Sequence, residues 1–225
     1  MIIVITDAKS LTKTVEDIRG QAVNTSEIAK FYSELFSKHI ESIPASTIIW
    51  KVIKTTGDGL LITAAPKPGE DERFFRDWLG IMFKIYEGFQ HPQIRIAAHY
   101  CDETNLIVEL KLTRTAQKNG YVQNLKEFSS NLRQDIFGPE VNLAFRIAQM
   151  VSEKVFILTD QLIRKIISPD KLVKVEAKEE FQMNGLVFGP PVPITSLKGI
   201  THVGFSTNVN NATHPIWVWE VTRQN

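Results

Sequence analysis

The stretch that decides the fold spans residues 47–62 and reads TIIWKVIKTTGDGLLI. Residues 47–54 alternate and are rich in β-branched side chains, and residues 60–62 are apolar, which is typical of strands. Between the two runs, Gly57 and Gly59 flank Asp58. Two strands joined by a tight glycine-containing turn form an antiparallel hairpin. The stretch therefore predicts a sheet that contains antiparallel pairs.

Outward from this hairpin, strands and helices alternate along the chain. Further strands are predicted over residues 2–6, 93–101, 155–158 and 216–221, with an extended arm over 105–113. Helices are predicted over residues 26–43, 70–89, 139–152 and 160–167, and the tail over 171–222 is interpreted as strands and loops. This order predicts an α+β sandwich on a ferredoxin-like plan rather than a doubly wound parallel sheet. No break in composition marks a second domain, so residues 1–225 are predicted to form one.

Composition excludes several classes of protein. The chain has 225 residues, of which 43% are hydrophobic, and its formal net charge of +1 argues against binding nucleic acid mainly by charge. The single cysteine, Cys101, excludes an intramolecular disulfide and a zinc site with several cysteines. No segment approaches the roughly 18 consecutive apolar residues of a membrane span. We therefore expect a soluble cytoplasmic protein.

Two acidic residues stand at strand ends. Asp7 follows the apolar strand 2–6, and Asp58 lies at the hairpin tip. If the two strands are neighbours, both carboxylates converge at one edge of the sheet. Paired carboxylates are suited to hold Mg²⁺ or Mn²⁺ against the phosphates of a substrate. The alternative is that Asp58 only forms the turn and Asp7 only caps a strand.

The predicted helix 139–152 carries a second candidate pair. Asn142 and Arg146 are four residues apart and share one helix face, whereas most apolar positions lie elsewhere. An asparagine amide can bind a hydroxyl, and an arginine can bind two phosphate oxygens at once. The alternative is a solvated polar face. Lys54 and His99 are two further polar residues that could belong to a site. Each also has an ordinary structural explanation, Lys54 as a surface lysine on a strand and His99 as a core histidine with satisfied hydrogen bonds.

In chain order, five segments resemble the catalytic domain of class III adenylyl and guanylyl cyclases. Residues 135–146, DIFGPEVNLAFR, resemble the family pattern Asp-x-x-Gly-x-x-Val-Asn-x-Ala-x-Arg and form the most specific of the five. The others are DAKSLT at 7–12, KTTGDG at 54–59, RIAAH at 95–99 and LKGI at 197–200. Each of these four is weak alone, but their order is that of the family over essentially the whole chain.

The resemblance implies a metal-dependent reaction in a head-to-tail homodimer with two active sites at its interface. Asp7 and Asp58, with the carbonyl of Ala8, would hold two Mn²⁺ or Mg²⁺ ions. The ribose 3′-hydroxyl of a nucleoside triphosphate would attack the α-phosphate and release pyrophosphate. One ion would lower the pKa of that hydroxyl, so no separate protein base is required.

The partner chain would supply the remaining groups of each site. By resemblance, Asn142 is directed toward the ribose and Arg146 toward the phosphates, and Lys54 and Asp135 match the pair that reads the base. The family's additional phosphate-binding arginine has no evident match, and Ile200 replaces its second lysine near the end. The arm 104–134 is unusual for the family and carries candidates to replace the missing charge, namely Arg114, Lys118 and Arg133.

The choice of base stays open between three nucleotides. Lys54 donates and Asp135 accepts, which fits adenine, cytosine and, with the contacts exchanged, uracil, whereas guanine fits worst. The chain starts at its catalytic strand without a regulatory segment, and this bare form resembles the stand-alone bacterial antiphage pyrimidine cyclases of the Pycsar type. It predicts cyclic UMP or cyclic CMP made for a separate effector protein. Trp50 either narrows the base pocket or packs in the core. An adenylyl cyclase and a degenerate nucleotide-binding module are the alternatives.

Overall fold

The computed structural model describes residues 1–8, 48–56, 59–88, 94–101, 108–109, 136–137, 139–149, 155–193 and 216–224. Its strands are β1 (Ile2–Ala8), β2 (Ile48–Thr55), β3 (Gly59–Pro66), β4 (Ile94–Tyr100), β5 (Val108–Glu109), β6 (Ile136–Phe137), β7 (Phe156–Thr159), β8 (Phe181–Met183), β9 (Leu186–Phe188), β10 (Val192–Pro193) and β11 (Trp217–Arg223). Its helices are α1 (Asp71–Gly88), α2 (Pro139–Gln149), α3 (Asp160–Ile166) and α4 (Pro169–Ala177).

The main sheet has the strand order β2-β3-β1-β4-β7-β11-β9-β8, with β10 added beside β11. Strand β1 lies between β3 and β4 and is antiparallel to both, and β2 and β3 form the predicted hairpin. The parallel pair is β4 with β7. A helix-covered sheet of mostly antiparallel strands confirms the predicted α+β class and excludes the doubly wound alternative.

The sheet has an apolar core on each face. In β1, the side chains of Ile2 and Val4 belong to one core and those of Ile3 and Ile5 to the other, as strand alternation requires. Residues of α1, α3 and α4 pack in the first core, around the buried Trp78, and α2 packs over the second. In the part of the chain that the structure describes, no helix is long and apolar enough to cross a membrane.

The tail differs from its prediction, because α4 is a helix where strands and loops were expected. The run Val173-Lys174-Val175-Glu176 alternates like a strand, yet only Val175 is buried, and Val173 is exposed. Helix formation follows instead from Pro169 in the first turn and from the left-handed Lys178, which ends the helix. The predicted helix 26–43 and most of the arm 104–134 lie outside the described residues.

Candidate active site

Asp7 lies near the end of β1, between two neighbouring strands. In the sheet register it is opposite Gly59 of β3 on one side and opposite Arg95 of β4 on the other. Both Nε and a terminal nitrogen of Arg95 contact Oδ2 of Asp7, whose side chain is 18% exposed. The predicted metal-binding carboxylate is therefore accessible and already accompanied by a cation.

The tip of the β2–β3 hairpin meets the same edge of the sheet. The N–H of Thr56 donates to the carbonyl of Gly59 at 2.8 Å, and two residues separate this pair in the sequence, the second of which is Asp58. The N–H of Leu60 donates to Oγ1 of Thr6 at 3.1 Å. Asp58 itself lies outside the described residues, but its sequence neighbour Gly59 is the register partner of Asp7.

Gly59 is the residue that permits this close approach. A Cβ added there would lie 1.9 Å from the backbone oxygen of Thr6 and 2.8 Å from Oγ1 of Thr56. Any side chain at this position would thus collide with β1. The second glycine of the Thr-Gly-Asp-Gly turn is required by packing between the strands.

A β-bulge in β2 separates Trp50 from Lys54. Before the bulge Trp50 pairs with Ala64, and after it Lys54 pairs with Leu61. Because directly paired residues lie on one face, Trp50 packs against the core of Ala64, and Lys54 lies on the face of Leu61. The alternative for Trp50, packing against the core, is confirmed, and nothing in the described residues supports its place in a base pocket. Lys54 shares the sheet face of Asp7, since Leu61 and Gly59 are two residues apart in one strand.

The outer face of α2 carries Asn142 and Arg146. The opposite face packs on the sheet through Val141, Ala144 and Ala148, which are buried. Asn142 is exposed and Arg146 is half-buried. The structure thus confirms that the two residues share a face apart from the main apolar positions, and places that face away from the sheet that carries Asp7.

Other predicted site residues are described only in part or not at all. Ala8 ends β1 opposite Ile94. Asp135, the predicted base acceptor, lies outside the described residues, as do the basic candidates of the arm, Arg114, Lys118 and Arg133. Sequence reasoning assigned no contact to Arg95, although its place in the RIAAH segment and the pairing of two neighbouring strands could have suggested the Asp7 ion pair.

The donor set at this edge fits a hard divalent cation in its chemistry. Asp7 offers a carboxylate and Ala8 a backbone carbonyl, and Mg²⁺ and Mn²⁺ favour oxygen ligands. Among the described residues, no group of three or more His, Cys, Asp or Glu side chains could hold a metal by itself. A complete site would thus need Asp58 and oxygen atoms of a substrate.

The sequence matches no protein-family model and no curated protein. Solved structures give a clear likeness over the whole chain. The adenylyl cyclase CyaB from P. aeruginosa matches with a TM-score of 0.53 at 12% identity, over 100% of this chain and 94% of that one.

Two further structures agree. The guanylate cyclase domain of RhGC from Catenaria anguillulae, in complex with GTP, matches with a TM-score of 0.51 at 12% identity, over 100% of this chain and 96% of that one. The catalytic core of a rhodopsin-guanylyl cyclase with converted specificity, in complex with ATPalphaS, gives a TM-score of 0.54 at 14% identity, again over 100% and 96%. This chain therefore has the fold of an adenylyl and guanylyl cyclase catalytic domain.

Proposed function

We propose that the protein is a metal-dependent nucleotidyl cyclase that converts a nucleoside triphosphate into a 3′,5′-cyclic nucleotide and pyrophosphate. One observation carries the proposal: in a chain with a cyclase fold, the sheet register sets Asp7 opposite Gly59, the neighbour of Asp58. This register supports two carboxylates at one edge, as the two-ion reaction requires. If Asp58 only formed the turn and Asp7 only capped a strand, the two residues would not need to lie at the same edge of the sheet.

Asp7, Asp58 and the carbonyl of Ala8 would hold the two Mn²⁺ or Mg²⁺ ions. When bound, such ions lower the pKa of an attacking hydroxyl and neutralise charge on phosphate oxygens. In the reaction, the ribose 3′-oxygen bonds to the α-phosphorus, the bond from that phosphorus to the bridging oxygen breaks, and pyrophosphate leaves. The hydroxyl proton goes to solvent. Arg95 adds a fixed positive charge beside Asp7, where the triphosphate would lie.

The other groups of the site come from a partner chain: Asn142 and Arg146 of α2, Lys54 of β2, and Asp135. Asn142 binds the ribose and Arg146 binds phosphate oxygens through its planar fork of donors. Their place on the outer face of α2 supports sites shared between the two chains of a homodimer. Lys54 and Asp135 would read the edge of the base.

The proposed substrate is a pyrimidine nucleotide, UTP or CTP, and the proposed role is antiphage signalling through a separate effector protein. Lys54 as donor and Asp135 as acceptor fit cytosine directly and uracil with the contacts exchanged. The resemblance to stand-alone pyrimidine cyclases supports this choice, and Trp50 no longer contributes to it. ATP is the second candidate, because the same pair fits adenine and because similar structures include an adenylyl cyclase.

The deciding experiment incubates the purified protein with each of the four ribonucleoside triphosphates and Mn²⁺ and identifies the products by mass. Asp7→Asn should abolish product formation while the circular dichroism spectrum is retained. Asp71→Asn, at an exposed acid in the first turn of α1, is the matched control and should stay active. Nucleotide binding without any cyclic product would refute the cyclase proposal in favour of a binding module. A clean preference for ATP would overturn only the pyrimidine assignment.

A further inference from the structure

We propose that His99 and Glu140 form a tether that fixes helix α2 on the sheet, and that both are positioning residues for Asn142 and Arg146. The inference rests on the proposed function, because those two residues act on a substrate only if the chain is a cyclase. It assigns a task to His99 and Glu140 beyond that of core packing.

His99 is fully buried beneath α2. It lies in β4 between Ala97 and Cys101, two residues from each, and all three side chains point to the α2 side of the sheet. Its Nε2 contacts Oε2 of Glu140, in the first turn of α2, and its Nδ1 lies 3.1 Å from Oγ1 of Thr159. The interpretation of His99 as a core histidine with satisfied hydrogen bonds is confirmed, and its partners are now identified.

These contacts form a hydrogen-bond chain with one consistent direction. The carboxylate of Glu140 accepts, so Nε2 of His99 carries the hydrogen, and Nδ1 can accept from the hydroxyl of Thr159. The oxygen of Thr159 in turn accepts from the N–H of Leu162 at 3.4 Å, which caps α3. Both ring nitrogens of His99 and the hydroxyl of Thr159 therefore have partners. The chain joins α2 to β4 and to the junction of β7 with α3.

The tether is suited to set the helix position, whereas the surrounding contacts are not. The neighbouring contacts of α2 with the sheet involve small or aliphatic side chains such as Ala144 and Ala148. Apolar contacts are non-directional and allow small shifts, but a hydrogen bond requires a defined distance and alignment. Glu140 precedes Asn142 by two residues and Arg146 by six, so a shift at its end of α2 moves both. A misplacement of about 1 Å can lower a rate about 100-fold.

The test compares two substitutions at one position. Glu140→Ala removes the acceptor and should lower kcat about 100-fold, with KM and the half-saturating Mn²⁺ concentration within about twofold of wild type. Glu140→Gln retains an oxygen that accepts from Nε2 and should restore kcat to within about fivefold of wild type. Glu87→Ala is the matched control, because it breaks an ion pair with Arg223 away from α2 and should leave kcat unchanged.

Three results would overturn the tether: full activity of Glu140→Ala, an equal loss in Glu140→Ala and Glu140→Gln, or a rise in KM with kcat unchanged. If Glu140→Ala fails to fold, Glu140→Asp decides, since its shorter side chain should lower kcat and leave KM unchanged, and full activity would overturn the inference. A wild-type protein that forms no cyclic nucleotide refutes the proposed function instead. Hydrogen exchange of the α2 amides then tests the tether: it should accelerate in Glu140→Ala but not in Glu140→Gln, and equal exchange overturns it.

Discussion

Replacing Gly59 by alanine should separate the β2–β3 hairpin from β1. The added Cβ would lie 1.9 Å from the backbone oxygen of Thr6 and 2.8 Å from Oγ1 of Thr56, both closer than real Cβ contacts. The nearer atom belongs to the backbone of a central strand and cannot rotate away. The hairpin or β1 must therefore move by about 1.5 Å to reach an ordinary contact of about 3.5 Å.

The expected loss of stability follows from this displacement. Forcing an extra methyl group into a packed interior costs about 1–3 kcal/mol. The shift also weakens two hydrogen bonds, Thr56 N–H to Gly59 O and Leu60 N–H to Thr6 Oγ1, worth about 1 kcal/mol each. We expect a total of about 3 kcal/mol, which lowers the melting temperature by about 6–12 °C in a chain of this size. Cyclase activity at a temperature where the variant is folded should fall as well, because the displaced hairpin carries Asp58.

Thermal melts followed by circular dichroism, with product formation measured in parallel, would check this expectation. Gly80→Ala is the matched control, because Gly80 is an exposed residue of α1 and a Cβ there meets nothing within 4 Å. That change should stabilise the helix by about 0.5–1 kcal/mol. A Gly59→Ala protein that melts within about 2 °C of wild type and retains full activity would refute the reasoning from the close approach.

Three further variants test single interactions. Arg95→Met removes the cation that contacts Asp7, so the nucleotide-free protein should bind Mn²⁺ more tightly, as measured by electron paramagnetic resonance. The repulsion between a single charge and a divalent one about 6 Å away is about 1.4 kcal/mol in water, which is a factor of about ten in affinity. Weaker Mn²⁺ binding by the variant would contradict this. Lys54→Ala should lower turnover of the preferred triphosphate and reduce the preference between bases, whereas an unchanged ratio of kcat/KM values would contradict the role of Lys54. Burial, with two nearby carboxylates, raises the pKa of Tyr86 above its ordinary 10.0. The folded protein therefore holds the phenol proton more tightly than the unfolded chain does. The stability that this difference contributes is lost as the pH rises above about 10. Wild-type unfolding free energy should fall more steeply there than that of Tyr86→Phe, and equal slopes in urea titrations would show that Tyr86 contributes nothing.

The parts of the fold that were predicted correctly depend on local patterns. The apolar run of β1 and the turn between β2 and β3 specify their structure within a few residues. Helix α4 was not predicted, because its local sequence pattern resembles that of a strand. Val173 and Val175 alternate with charged residues, and only Val175 contacts the core, so the segment lacks the apolar stripe of an amphipathic helix.

The site was predicted as a set of residues but not as a set of contacts. The order of the motifs indicated Asp7 and Asp58, and the four-residue spacing put Asn142 and Arg146 on one face. The ion pair of Asp7 with Arg95 depends on the register between two strands far apart in sequence, which no local pattern reports. The bulge after Val52 is not reported by a local pattern either. One extra residue in a strand reverses the face on which the following side chains lie.

The place of Arg146 leads to a prediction about shared sites. Arg146 lies on the outer face of α2, and the helix itself, about 10 Å across, separates that face from the sheet that carries Asp7. If each site takes Asp7 from one chain and Arg146 from its partner, Asp7→Asn and Arg146→Ala should each be inactive alone. In their mixed dimer, one site receives both defects and the other receives none. Random exchange makes about half of the dimers mixed, so activity should return to about a quarter of wild type.

A chain carrying both changes, mixed with wild type, is the control and should restore nothing beyond the remaining wild-type dimers. Mixed dimers detected by mass but without activity would refute the shared site.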